Sequence, residues 1–251
     1  MLITPLLGSL GTILSLCLQL SPSPAIYKGL KEGIIKSLTT TYFIMGIVQS
    51  TFWGGYGYNI RDPFVFGVNM VGIALFTIYL NIMFYINNQK KNYIMINGPL
   101  VILFIISMTI LGERLNLYLA VIVACFWQSA TVPTMRLALA KKDCSFVNIL
   151  LCYISFANFI TWIIYGILIE SYLMSFQNTV SASFMAMNIY IYFWATGVIK
   201  NDDDCGINLL RKLLRVDNSD NFYNGEDIEG GKNIRLINKG IESEMKITVR
   251  N

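Results

Sequence analysis

The sequence predicts an all-α membrane protein: seven transmembrane helices, arranged as two parallel three-helix repeats joined by a linker helix. Three observations predict it: charge is scarce and clustered, long uncharged runs separate the clusters, and a set of motifs recurs at one fixed offset. Of the 251 residues, 55% are apolar and 14% charged, with a mean hydropathy of +0.55; a soluble domain carries nearer a quarter charged residues. Sixteen charges lie between Met1 and Lys200, all in short clusters, and the last fifty-one residues hold the other eighteen.

A helix of about 20 residues crosses the hydrocarbon core of a bilayer. The uncharged runs that meet this length are Met1–Tyr27, Ser37–Ile60, Pro63–Gln89, Asn92–Gly112, Leu115–Met135, Cys144–Ile169 and Ser171–Ile199. Basic residues between them report orientation. Lys28, Lys31 and Lys36 follow the first run, Lys90 and Lys91 the third, Arg136, Lys141 and Lys142 the fifth, and Lys200 opens the tail; the other loops offer only Arg61 and Arg114. The positive-inside rule then puts the N-terminus outside and the C-terminus in the cytosol. The net charge of +4 is therefore a topology signal, and no nucleic-acid partner is expected. The first run lacks the basic n-region of a cleaved signal and counts as a helix. Five cysteines at no metal-ligand spacing imply packing rather than a disulfide framework, metal or other cofactor.

Shifted by 109 residues, the chain aligns with itself without a gap. Gln19 falls on Gln128, Pro24 on Pro133, Trp53 on Trp162, Tyr56 on Tyr165, Gly57 on Gly166 and Asn69 on Asn178, while Gln49 meets the related amide Asn158. Trp, Pro, Asn and Gln are uncommon in membrane spans, yet these are the residues that match. The first repeat occupies residues 1–89, a linker span 92–112, the second repeat 115–199 and a tail 200–251. Three spans reverse the direction of the chain, so the extra span restores it and leaves the repeats parallel, a plan used by transporters.

The segments "LSPSPAIYKGL", "FWGGYG" and "VFGVNMVG", with "ATVPTMRLAL", "TWIIYG" and "SFQNTVSASF" in the second half, resemble the SWEET family of sugar transporters over roughly residues 5 to 200. The resemblance implies a three-plus-one-plus-three fold and a sugar pocket lined by Trp53, Asn69, Trp162 and Asn178. It also implies hinging at helix prolines, here Pro22, Pro24 and Pro133. Unlike the family pattern, the second helix (Leu38 to Trp53) and the sixth (Val147 to Trp162) hold no proline. The chain has no Pro-Gln dipeptide, which argues against the related lysosomal amino-acid carriers. For assembly the resemblance implies a homo-oligomer whose protomers each transport.

The residues themselves suit a neutral polyol. Trp53 and Asn69 lie about seven residues either side of Arg61–Asp62, roughly 10 Å deep at 1.5 Å per residue, and Trp162 and Asn178 flank Glu170 in the same way. A sugar leaving water must replace its hydroxyl–water bonds. Asn both donates and accepts, and an indole offers a flat apolar face with one N–H. Gln49 and Asn158, one turn further in, and Gln19 and Gln128 are candidates for a second amide layer. Tyr56 and Tyr165, one turn further out, are candidates for an outer gate, and Gly57 and Gly166 for close packing. Interfacial anchoring is the alternative for the aromatic residues, interhelical bonding for the amides and helix termination for the prolines.

Away from their edges the spans contain no Asp, Glu, Lys, Arg or His, and the chain has no His. Without an intramembrane relay, uncoupled and bidirectional movement is expected, and enzyme chemistry is not. The expected function is facilitative transport of mono- or disaccharides, of the glucose or sucrose class, across the bilayer by alternating access. A seven-helix signalling receptor and a carrier of another neutral solute are the alternatives. The plasma membrane is the expected host, with the Golgi or another endomembrane as alternative. In the tail, residues 207–216 pair leucines with Arg211, Lys212 and Arg215. This predicts an amphipathic helix on the anionic leaflet, with disorder following from Asp217.

Overall fold

The computed structural model describes residues 2–34, 38–129, 131–142, 144, 147–199 and 205–216, the side chains of Lys90, Lys91 and Cys205 excepted. Lys36, Lys200 and the stretch expected to be disordered from Asp217 lie outside the described residues. All regular structure among them is helical: α1 (Ile3–Leu20), α2 (Ser23–Glu32), α3 (Thr40–Asn59), α4 (Pro63–Ile86), α5 (Lys90–Thr109), α6 (Glu113–Ser129), α7 (Val132–Lys141), α8 (Ile149–Leu168), α9 (Tyr172–Ala195) and α10 (Cys205–Leu213).

Two of the expected spans are broken. In the first, the helix stops at Leu20, where the Ser21 hydroxyl donates to Leu18 O at 2.7 Å, and α2 restarts with Pro22 as its N-cap and Pro24 in its first turn. In the fifth, Thr131 Oγ1 donates to Gln128 O at 2.8 Å, and α7 starts with Pro133 in its first turn. Proline has no N–H to give the preceding turn and a φ that suits a helix start. The prolines thus end one segment and begin the next. Elsewhere the starts are side-chain caps: Thr39 accepts from Tyr42 N, Asp62 from Phe64 N and Val65 N, and Asn148 from Leu151 N.

Five stretches are long and apolar enough to cross a membrane: Ile3–Glu32, Pro63–Ile86, Asn92–Thr109, Glu113–Lys141 and Ile149–Leu168. Helices α3 and α9 are long enough but less apolar, because they carry polar residues inward. Eleven residues of α3 and ten of α9 are buried, among them Ser50, Thr51, Gln177, Asn178 and Asn188.

The packing of the first half recurs in the second. α3 packs on α4 as α8 does on α9, α1 on α4 as α6 on α9, and α2 on α4 as α7 on α9. The halves interlock reciprocally, α1 lying against α8 and α6 against α3, while α5 packs on α3 and α4. One apolar cluster, with Trp53, Tyr56, Val65, Trp162, Tyr165 and Met174, is shared by both halves at the end where α3 and α8 finish. Toward the other end, where the basic residues stand, the core divides. Phe43, Phe76, Leu80 and Phe84 belong to the first half, and Met135, Leu139, Ile191 and Trp194 to the second. The molecule is therefore joined at a tyrosine end and forked at a basic end.

The tail helix starts two residues earlier than the pattern predicts and is seated differently. Ile207 is fully buried and Leu210 is 8% exposed, both against α7 and α9. That part of its apolar face meets protein, not the leaflet, because α7 and α9 leave an apolar notch beside it.

Candidate functional site

A cavity of about 580 Å³ occupies the fork. Its wall includes all eight tryptophans and amides expected from the sequence: Trp53, Asn69, Trp162, Asn178, Gln49, Asn158, Gln19 and Gln128. It runs from the shared cluster toward the basic end, past Tyr42 at the start of α3, Thr131 and Thr134 beside and in α7, Asn148 before α8 and Asn188 in α9. Pro22, Pro24 and Pro133 are absent from the wall; they sit at the breaks behind it.

Each site asparagine is held by its own helix. Asn69 Nδ2 donates to Val65 O at 2.7 Å and Asn178 Nδ2 to Met174 O at 2.8 Å. One amide hydrogen is thereby spent on orientation, and the other hydrogen and the carbonyl remain for a ligand. The inner amides differ. Asn158 Oδ1 accepts from Ser15 Oγ at 2.9 Å and from Trp162 Nε1 at 3.2 Å. Gln19 Oε1, Gln49 Oε1 and Gln128 Nε2 are buried without a hydrogen-bond partner. A buried polar atom left unpaired costs about 1–3 kcal/mol, so these three atoms are a polar cost carried by the cavity's surroundings.

The tyrosine end is closed by two hydrogen bonds that cross between the halves. The Tyr56 hydroxyl donates to Ser171 Oγ at 2.6 Å, and the Tyr165 hydroxyl to Asp62 Oδ2 at 2.7 Å. The same 109-residue shift that pairs the tyrosines places Asp62 on Ser171, so each half supplies one tyrosine and one acceptor. Asp62 Oδ1 is meanwhile occupied as the cap of α4, accepting from Phe64 N at 2.9 Å and Val65 N at 3.0 Å. Neither tyrosine lines the cavity; both lie beyond it. The glycine after each tyrosine lets the next helix approach. A Cβ at Gly57 would stand 2.5 Å from Phe66 N, and one at Gly166 2.5 Å from Ser175 Oγ.

Sequence reasoning missed Ser15, Asp62 and Ser171. A serine in an apolar helix has no distinctive pattern, and its role depends on α1 packing against α8. Asp62 and Ser171 were within reach, since they coincide at the same offset as the tyrosines they meet.

The chain matches the family described as "Sugar efflux transporter for intercellular exchange" over residues 5–92 and 116–197. It is 23% identical over 205 residues to the Bidirectional sugar transporter SWEET7b of Oryza sativa subsp. indica, covering 76% of this chain and 77% of that one. To the Bidirectional sugar transporter SWEET7 of Arabidopsis thaliana it is 21% identical over 206 residues, 76% of this chain and 80% of that one. To the Sugar transporter SWEET1 of Drosophila pseudoobscura pseudoobscura it is 22% identical over 164 residues, 60% and 72%. A solved eukaryotic SWEET transporter superposes with a TM-score of 0.71 at 16% identity, over 78% of this chain and 97% of that chain. These matches set aside the signalling-receptor alternative and any enzymatic reading. The chain is an integral membrane protein and belongs to the SWEET family of sugar transporters.

Proposed function

We propose that the chain moves mono- or disaccharides of the glucose or sucrose class down their gradient, in both directions and without a coupled ion. The observation that carries this reading is the cavity itself: uncharged amides and three indoles between two like sets of helices, beyond which the tyrosine end is closed. Such a wall replaces water around a sugar without charge. Among the described residues no Asp, Glu, Lys or Arg lines the cavity, which favours uncoupled movement.

The proposed path has seven spans, α1 with α2 and α6 with α7 each counting as one, in two parallel repeats of 1–89 and 115–199. The reciprocal packing of the halves supports this count, as do the two separate family segments. The basic end faces the cytosol, so the described state is open inward. In the alternate state the Tyr56–Ser171 and Tyr165–Asp62 bonds part, while α2 and α7 swing on the proline breaks to close the inner mouth. A description of intercellular exchange favours the plasma membrane as host.

Purified chain in liposomes tests the proposal. Labelled glucose or sucrose should equilibrate across the membrane at a rate set by the sugar gradient and unchanged by an imposed proton or sodium gradient. Equilibration of neither sugar, or uptake that follows an ion gradient, would overturn it.

A further inference from the structure

α2 and α7 hold the same place in the two halves, yet α7 carries a second helical cover, α10. α2 packs on α4, where the Ser23 and Tyr79 hydroxyls meet at 2.6 Å, and it leaves Tyr27 and Leu30 exposed. α7 packs on α9 and is covered in addition by α10. Three kinds of contact hold that cover in place. Ile207 and Leu210 sit among Met135, Ala138 and Leu139 of α7 and Ile191 and Trp194 of α9. The Arg211 guanidinium carbon lies 5.2 Å from the centre of the Trp194 ring, with Lys142 Nζ, just past α7, at 5.1 Å. Arg136 of α7 donates from Nη2 to the backbone oxygen of Arg215 at 3.2 Å.

A nine-residue helix has little stability of its own, so α10 owes its form to this seat. The dependence runs both ways. The break before α7 separates it from the backbone ladder of α6, leaving its direction to what it packs on. α7 begins beside Thr131 and contains Thr134, both part of the cavity wall. We infer that α10 is a strap that sets the position of α7 at the cavity mouth, with Ile207, Leu210 and Arg211 as positioning residues for passage of the substrate. The inference rests on the transport reading above. It makes α7 the steadier wall of the mouth and α2 the one that moves more.

The test uses the full chain in lipid nanodiscs for amide exchange and in liposomes for flux, with Ile207→Asp, Ile207→Leu and Arg211→Ala. Ile207→Asp should speed exchange in residues 132–141 by about tenfold or more while 23–32 keeps its wild-type rate. It should lower the maximal sugar flux by about threefold or more and leave half-saturation within about twofold, since no cavity residue is touched. Ile207→Leu should restore both. Arg211→Ala, which leaves Ile207 and Leu210 in place and removes the cation over Trp194, should speed exchange in 132–141 by about fivefold. Unchanged exchange in 132–141 in both variants would overturn the strap, as would a rise shared equally by 23–32 in Arg211→Ala. If no variant and no wild type carries sugar while 132–141 still responds, the strap stands and the transport reading falls.

Discussion

Trp53 and Trp162 occupy corresponding places in the two halves and are held in different ways. Both are buried in one shared cluster and both line the cavity. The Trp162 indole donates to Ser15 Oγ at 3.0 Å and to Asn158 Oδ1 at 3.2 Å, and Ser15 also donates to Asn158. The chain of α1 comes close because residue 11 is glycine; a Cβ there would lie 2.9 Å from Trp162 Cε2. Around Trp53 the counterpart of Ser15 is Ala124, that of Asn158 is Gln49 and that of Gly11 is Ala120. Among the described residues the Trp53 N–H has no partner, and Gln49 Oε1 is buried unpaired. The repeat has kept the shape of the wall and redistributed its polar atoms. The Trp162 side is satisfied across the halves, by Ser15 of α1 and Asn158 of α8; the Trp53 side has no such bridge.

The largest effects that probe this difference come at the closed end. Gly57→Ala drives a methyl into the Phe66 backbone, which has nowhere to yield, whereas the nearest atom to the new Cβ in Gly166→Ala is the Ser175 hydroxyl. Gly57→Ala should abolish transport and lower the melting temperature of the protein in detergent, and Gly166→Ala should do both to a smaller degree. Equal effects would mean that the two halves pack alike at this point.

Next come the indole N–H groups. Trp162→Phe loses two hydrogen bonds within the protein and should cost about 1–2 kcal/mol of stability, visible as a lower melting temperature with half-saturation little changed. Trp53→Phe loses none, so its stability should hold while half-saturation for sugar rises about fivefold, the effect of one hydrogen bond near 1 kcal/mol. The reverse pattern would put the ligand on the other half. The smallest expected effect is that of the paired exchange. Ser15→Ala leaves Trp162 its bond to Asn158 and should soften stability by about 1 kcal/mol or less, and Ala124→Ser should give the Trp53 side a new donor and change sugar binding by no more than about threefold.

Much of this was legible in the sequence, for physical reasons that can be named. Charge cannot be left in lipid, so the uncharged runs marked the long helices even where α3 and α9 proved the least apolar of the spans. Proline suits the first turn of a helix, so Pro22, Pro24 and Pro133 marked the breaks, whereas Pro99 lies inside α5. A polar residue in a membrane helix turns inward, and this is why the eight amides and tryptophans share one cavity. What remained hidden depends on tertiary contact. Ser15 and Asn158 are 143 residues apart, and no local pattern announces that α1 lies against α8. The seat of α10 was hidden for the same reason, since an amphipathic helix looks identical whether its apolar face meets a leaflet or a neighbouring helix.

The central claim is that the paired asparagines hold the sugar hydroxyls. The most direct measurement is flux of labelled glucose and sucrose into liposomes containing the Asn69→Ala/Asn178→Ala double variant, beside wild type at equal folded amount. With about 1–3 kcal/mol lost for each hydroxyl left unmet, the double variant should fall at least about thirtyfold, toward the level of empty liposomes, while its melting temperature stays near wild type. Flux at the wild-type rate from the double variant would contradict the account.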